Sequence, residues 1–117
     1  HELAYRELER LLADKLIEQG QMKLFYIRIS DILRHYIENR FALHAPERTT
    51  EEFLAELQRS TALASDHKVL LKEFLLHCDL VKFAELLPTN DQIQKTFDLC
   101  KQFIVETQLR EEQSTAA

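Results

Sequence analysis

The segment from Met22 to Arg40 carries apolar and aromatic residues at the spacing of a helix that is buried along one side. Projected at 100° per residue, its main apolar set falls within an arc of roughly 140°. The set comprises Met22, Phe25, Tyr26, Ile29, Ile32, Leu33, Tyr36 and Ile37. The opposite side carries the polar residues Asp31, Arg34, His35 and Glu38. We therefore predict that this long helix lies at the centre of the fold.

Residues that interrupt helices are rare in this chain. Its 117 residues include one glycine, Gly20, and two prolines, Pro46 and Pro88. Tight β-hairpins favour Gly and Asn-Gly turns, whereas the residue types that dominate here favour helices. We predict an all-α fold, a compact five-helix bundle, and one domain is expected at this length. The domain is placed at residues 1–109, and residues 110–117 are predicted to form a disordered tail.

Four further helices complete the predicted bundle. The first is predicted from Glu2 to Gln19, because Gly20 is the residue type that commonly follows the last helical turn. Its inward residues are expected to be Tyr5, Leu8, Leu11, Leu12 and Leu16. The third helix is predicted from Thr50 to about Arg59. The fourth runs from a cap at Ser65 or Asp66 to about Cys78, and the fifth follows Pro88.

Two helix starts carry a reciprocal capping pattern. Thr49 lies three residues before Glu52, and Thr89 lies three residues before Gln92. In such a pair the hydroxyl accepts a hydrogen bond from the backbone N–H three residues later. The side chain of that later residue accepts one from the N–H of the cap. We predict that Thr49 caps the third helix and that Thr89 caps the fifth.

Two connections have no regular helical pattern. Phe41–Arg48 is predicted to be a loop, because Pro46 disfavours a helical conformation in the residue before it. For Asp79–Leu87 we favour a short helical turn capped by Asp79. The alternation in Leu80–Phe83 also fits an extended strand. In that second case the third and fourth helices and this segment would resemble a winged helix, with the segment as its wing.

The charge of the chain argues against nucleic-acid binding. The formal net charge is −5, whereas binding to nucleic acids depends on neutralising phosphates. In the winged-helix alternative, the recognition helix would carry Asp66, His67, Lys68, Lys72 and Glu73, whose formal charges sum to zero. Base-reading helices are usually more basic than this. We predict no nucleic-acid partner and keep a winged-helix-type nucleic-acid-binding domain as the alternative function.

The sequence contains no pattern typical of a catalytic, cofactor or metal site. His77, Cys78 and Asp79 are adjacent, so on a helix they would point in different directions. Zinc ligands instead occur in spaced pairs. Cys78 and Cys100 fall on apolar stripes, where a buried thiol is unreactive. There is no phosphate-binding loop and no H-E-x-x-H motif. We predict a non-enzymatic protein with no cofactor and no membrane span within the chain.

Three stretches together resemble a known bacterial domain. Phe25–Phe41 reads F-Y-x-x-x-S-D-x-L-R-x-Y-I-E-x-R-F, Ala45–Leu54 reads A-P-E-R-T-T-E-E-F-L, and Cys78–Ala84 reads C-D-L-V-K-F-A. They are similar to the C-terminal cytoplasmic domain of Bat-type (aerotolerance) inner-membrane proteins. Those proteins are encoded beside MoxR-type AAA ATPases and von Willebrand factor A proteins. The resemblance extends from His1 to about Thr107.

The resemblance carries expectations about context. It implies a cytoplasmic domain of unassigned activity that follows a membrane-spanning helix in a longer parent protein. A chain that begins at His1 rather than Met agrees with that expectation. A MoxR-type ATPase or a von Willebrand factor A protein is the implied partner. No catalytic residue is carried over, because the family's domain offers none.

Four residues are the candidates for contact with a protein partner. Arg40 ends the central helix, and Asp79, Lys82 and Phe83 lie in the segment whose pattern is ambiguous. Arginine and aromatic residues are enriched at interfaces. The competing interpretation is that Phe83 belongs to the core and that Asp79 pairs with Arg40 or Lys82 to brace the turn. The main functional prediction is a non-enzymatic protein–protein interaction module.

Overall fold

A computed structural model describes residues 1–41, 49–61 and 63–116, with side chains described up to residue 108. The described residues form helices and turns, and none is in a β-strand. The prediction of an all-α bundle is confirmed. The helices are α1 (Glu2–Ala13), α2 (Met22–Phe41), α3 (Thr50–Arg59), α4 (Ser65–Phe83) and α5 (Asn90–Ala116).

Helix α2 is the centre of the bundle, as its apolar arc predicts. It packs against α1, α4 and α5, and Tyr26, Ile29 and Ile37 on it are completely buried. Two tyrosines also tie α2 to α5 through hydroxyl groups. Tyr26 Oη lies 3.2 Å from Thr96 Oγ1, and Tyr36 Oη lies 2.5 Å from Thr107 Oγ1. The core is therefore fixed by directional bonds as well as by apolar packing.

The placement of Arg34 on a solvated side of α2 is wrong. Arg34 is buried, and its guanidinium donates a hydrogen bond of 2.6 Å to Thr50 Oγ1 at the first residue of α3. A buried guanidinium needs acceptors because it cannot lose its charge. The polar side predicted for α2 is thus partly covered by α3, a tertiary contact that helical periodicity cannot reveal.

The first helix ends earlier than predicted. Helix α1 stops at Ala13, and Lys15 has a left-handed φ of +51°. Residues 14–20 form turns instead of a continued helix. Leu12, predicted to face inward, is exposed, whereas Leu16 is buried as expected. The residues on both sides of Lys15 are of types that form helices readily, and locally they favour a continuous helix. The break therefore reflects tertiary packing.

Gly20 nevertheless closes this turn segment as a helix-stop residue. Its φ is +75°. The N–H of Gln21 donates to the carbonyl of Leu16 at 2.7 Å, and the N–H of Gly20 donates to the carbonyl of Ile17 at 3.1 Å. This is the bonding pattern of a Schellman motif. The predicted role of Gly20 is correct, although α1 itself has already ended.

Both reciprocal caps are confirmed. The N–H of Glu52 donates to Thr49 Oγ1 at 3.2 Å, and Glu52 Oε1 accepts from the N–H of Thr49 at 3.3 Å. The corresponding distances for Gln92 and Thr89 are 3.2 and 2.8 Å. The expected cap of α4 at Ser65 or Asp66 is wrong, because Ala64 is the residue before the first helical position.

Helix α4 continues past its predicted end at Cys78 and reaches Phe83. Asp79 therefore lies inside the helix and does not cap a separate turn. The extended alternative is wrong for Asp79–Phe83, and the rest of the expected wing is not a strand either. Beyond the helix, Glu85 has a left-handed φ of +57°, and the N–H of Leu86 donates to the carbonyl of Leu80 at 3.0 Å.

Several sequence-based expectations fall at the edges of the described structure. Phe41 is the last residue of α2, and residues 42–48 of the predicted loop lie outside the described residues. The domain boundary at residue 109 stays a prediction, because side chains from there onward are not described. Within the described helices, none has the length and apolar character needed to cross a membrane.

Candidate protein-interaction surface

Helix α4 carries apolar residues on two opposite sides. One side faces the core through His67, Leu71, Phe74, Leu75, Cys78 and Val81. The other side is exposed, with Val69 59% accessible, Leu76 42%, Leu80 49% and Phe83 75%. Projected at 100° per residue, these four lie within about 60° of one another and about 180° from the core side. We refer to these four residues as the α4 row.

The α4 row was not evident from the sequence because the helix was predicted to stop at Cys78. That boundary left only Val69 and Leu76 on the outer side. Leu80 and Phe83 fall in line with them only if the helix continues to Phe83, as it does. The detectable signal was the absence of a helix stop at Cys78, since neither Gly nor Pro follows it before Pro88.

Three of the four candidate residues come together at the end of α4. Lys82 Nζ lies 4.0 Å from Asp79 Oδ1 and 5.1 Å from the centroid of the Phe83 ring. The pairing of Asp79 with Lys82 that the competing interpretation predicts is present. The other part of that interpretation is wrong, because Phe83 is exposed and does not belong to the core. Both side chains of this pair are largely covered, with Lys82 12% and Asp79 26% exposed.

Arg40 lies on a different surface, a groove between α1 and α2 with a volume of about 620 Å³. The groove has apolar walls from Leu3 and Ile32, and Asp31 lines it together with Arg40. The Arg40 guanidinium also lies over the ring of Phe41, 4.7 Å from its centroid. Because acidic and basic side chains both line the groove, its charge does not favour an anionic or a cationic ligand.

A polar cluster links α2, α4 and α5, and no pattern in the sequence predicted it. The hydroxyl of Tyr26 lies 3.1 Å from His77 Nε2 and 3.2 Å from Thr96 Oγ1. Thr96 in turn donates to the carbonyl of Gln92 at 2.8 Å. Sequence periodicity placed Tyr26 in the core but could not supply partners that lie 51 and 70 residues away.

The electrostatics of this cluster favour neutral side chains. Burial raises the pKa of Tyr26 above 10.0, although the hydrogen bond to Thr96 opposes the shift. Burial also lowers the pKa of His77 below 6.5, and the positive charge of Lys95 lowers it further. A buried neutral tyrosine with its hydroxyl engaged joins the helices and is a poor proton acceptor. A recess of about 230 Å³ beside His77 is lined by Glu73 and Lys95 as well.

The triplet His77-Cys78-Asp79 does not converge on one point. His77 contacts Tyr26, Cys78 is in the core, and Asp79 faces Lys82. Burial raises the pKa of the Cys78 thiol to about 12 and raises that of Cys100 as well. Both thiols therefore stay protonated and act as small apolar groups. Among the described residues, no three His, Cys, Asp or Glu side chains are grouped to hold a metal ion.

Comparisons with protein-family models, with curated proteins and with solved structures find no match to this chain. The resemblance to the Bat-type proteins therefore stays a prediction.

Proposed function

We propose that this chain is a non-enzymatic protein–protein interaction module that binds its partner through the outer side of α4. The α4 row is the observation that carries this proposal. A helix at the surface of a globular protein normally presents polar residues to solvent. Soluble monomeric proteins rarely expose large apolar patches, and those that they do expose are often binding surfaces. The exposed Phe83 also fits an interface, because aromatic residues are enriched there.

The chemistry of the remaining polar groups supports a role without catalysis. The two cysteine thiols are protonated core groups. The hydroxyl of Tyr26 and the imidazole of His77 bond to each other across the helix interface. These groups stabilise the bundle, whereas the α4 row is exposed to solvent.

The candidate partners come from the family resemblance. A domain on the cytoplasmic side of a bacterial membrane-anchored protein would meet a MoxR-type ATPase or a von Willebrand factor A protein. An exposed apolar side of a helix can pack into an apolar groove on a partner protein. This chain would then connect its parent protein to one of them.

A capture experiment with the purified chain tests the proposal. Each partner, purified from a bacterium that encodes such a chain, is passed over immobilised protein with and without Phe83→Glu. We expect capture by the native chain and its loss in the variant, with the unfolding free energy changed by less than about 1 kcal/mol, because Phe83 is 75% exposed. Leu12→Glu, an exposed leucine on α1, introduces the same charge away from α4 and should retain capture.

Three outcomes would count against the proposal. A loss of more than about 1 kcal/mol in Phe83→Glu would mean that this phenylalanine supports the fold. Capture lost in Arg40→Glu but retained in Phe83→Glu would move the docking surface to the groove between α1 and α2. Salt-dependent retardation of a short DNA duplex would support the winged-helix-type nucleic-acid-binding alternative.

A further inference from the structure

The α4 row has the apolar area that a small symmetric interface requires. With the exposed fractions given above, the four side chains present roughly 400 Å² of surface, given that large apolar side chains cover about 150–250 Å² each. A typical interface buries about 800 Å² per partner, of which a little over half is apolar. The apolar area of the row is therefore close to the apolar part of one interface, and the polar residues at its edges would supply the rest.

The arrangement of residues along α4 is symmetric about Leu76. Val69 lies seven residues before it and Phe83 lies seven residues after it. Lys72 lies four residues before Leu76 and Asp79 lies three residues after it, and both are on the same edge of the row. A two-fold axis beside Leu76 would place Val69 of one copy opposite Phe83 of the other. It would bring the two copies of Leu76 together.

The charges on that edge are complementary under the same two-fold axis. When two identical helices pack antiparallel, the same edge of each helix meets in the interface, and every contact occurs twice. Lys72 of one copy would then face Asp79 of the other, so opposite charges meet at both ends. The aliphatic stem of Lys72 would cover Leu80 of the other copy, as long cationic side chains commonly do.

We infer that the occupant of the α4 row is a second copy of this chain, packed antiparallel so that Lys72 of each copy pairs with Asp79 of the other. This inference rests on the proposed function, because it takes the same surface as the binding surface, but its occupant is a second copy in place of the two candidate proteins. Asp79 would then lie between Lys82 of its own helix and Lys72 of the second copy, which gives the Asp79–Lys82 contact a role at the interface.

Sedimentation equilibrium of the full chain over a range of concentrations tests the inference. We expect a monomer–dimer equilibrium. Leu80→Glu should raise the dimer dissociation constant by on the order of a hundredfold, because each dimer loses two half-exposed leucines. Leu3→Glu, at a leucine on α1 that is 58% exposed against 49% for Leu80, serves as the matched control and should leave the constant unchanged.

A charge-exchange experiment tests the pairing itself. Lys72→Glu and Asp79→Lys should each weaken self-association, because like charges then face each other in both pairs. An equimolar mixture of the two variants should dimerise like the native chain, since each variant supplies the charge that the other lacks. Failure of the mixture to recover would overturn the antiparallel arrangement, even if both single variants are monomeric.

The outcomes separate this inference from the proposed function. A native chain that stays monomeric at all concentrations overturns the inference. The proposed function would still stand if Phe83→Glu abolishes capture of a different protein. A dimer that persists in Leu80→Glu also overturns the inference, since the copies would then associate through another surface. Loss of dimer in Leu80→Glu with recovery in the charge-exchange mixture supports it.

Discussion

The hydroxyl of Thr49 and the carboxylate of Glu52 satisfy two backbone N–H groups at the start of α3. Such a cap contributes about 1 kcal/mol to stability. We therefore expect Thr49→Ala to lower the unfolding free energy by about that amount in urea denaturation. Thr61→Ala, an exposed threonine outside the helices, should change it little. Equal effects from the two changes would mean that the cap does not stabilise α3.

His77 gives the fold a dependence on pH whose sign follows from its environment. Its pKa is lower in the folded protein than its ordinary value of 6.5, chiefly because of burial. The unfolded chain therefore binds the proton first as pH falls, and stability decreases below about pH 6.5. Above that pH the imidazole is neutral in both states and adds no pH dependence.

Removing the titrating group should flatten this dependence. We expect His77→Gln to lose less stability than the native chain when thermal unfolding is compared between neutral and mildly acidic pH. The difference between the two chains isolates His77, because the other four histidines are common to both. A native slope that persists in His77→Gln would show that the acid sensitivity arises from other groups.

Residue patterns predicted the caps and most of the core but missed the polar contacts. The pairs Thr49–Glu52 and Thr89–Gln92 are local, and their spacing determines the hydrogen bonds. The contact between Arg34 and Thr50 joins two helices, so no spacing along one helix predicts it. The same holds for Tyr26 with His77. Local rules give the partners of a group only when those partners are close in sequence.

At the scale of helices, the ends determine how much surface each helix presents. Helix α1 breaks where Lys15 adopts a left-handed conformation that costs an L-residue roughly 1–2 kcal/mol. The predicted helix to Gln19 was wrong there because helix propensity alone does not include the cost of packing a longer helix. Helix α4, in contrast, is longer than predicted, because it continues past Cys78 to Phe83. The α4 row was missed for that reason.

The conformation of Lys15 leads to a prediction about stability. We expect Lys15→Gly to raise the unfolding free energy by up to about 1 kcal/mol, because glycine adopts this φ without a steric cost. Lys23→Gly, in the first turn of α2, should lower it by about 0.5–1 kcal/mol, as glycine does inside helices. If both changes destabilise equally in chemical denaturation, then α1 continues past Ala13.

At the scale of the whole molecule, the sequence predicted the class of fold but left the binding surface undefined. The wide apolar arc of α2 was sufficient to identify the central helix, because only a helix with several neighbours needs such an arc. Of the candidate contact residues, Asp79, Lys82 and Phe83 cluster at the end of α4, whereas Arg40 lines a separate groove. Sequence distance could not separate these two surfaces, since their positions depend on how the helices pack.

We propose that the outer apolar side of α4 binds protein and contributes little to folding. The most direct test compares Phe83→Ala with Phe103→Ala, a core phenylalanine that is 2% exposed, in urea unfolding and in sedimentation. We predict that Phe103→Ala costs about 3–5 kcal/mol, whereas Phe83→Ala costs less than about 0.5 kcal/mol and weakens association. A cost of several kcal/mol for Phe83→Ala, or unchanged association with an intact fold, would contradict the account.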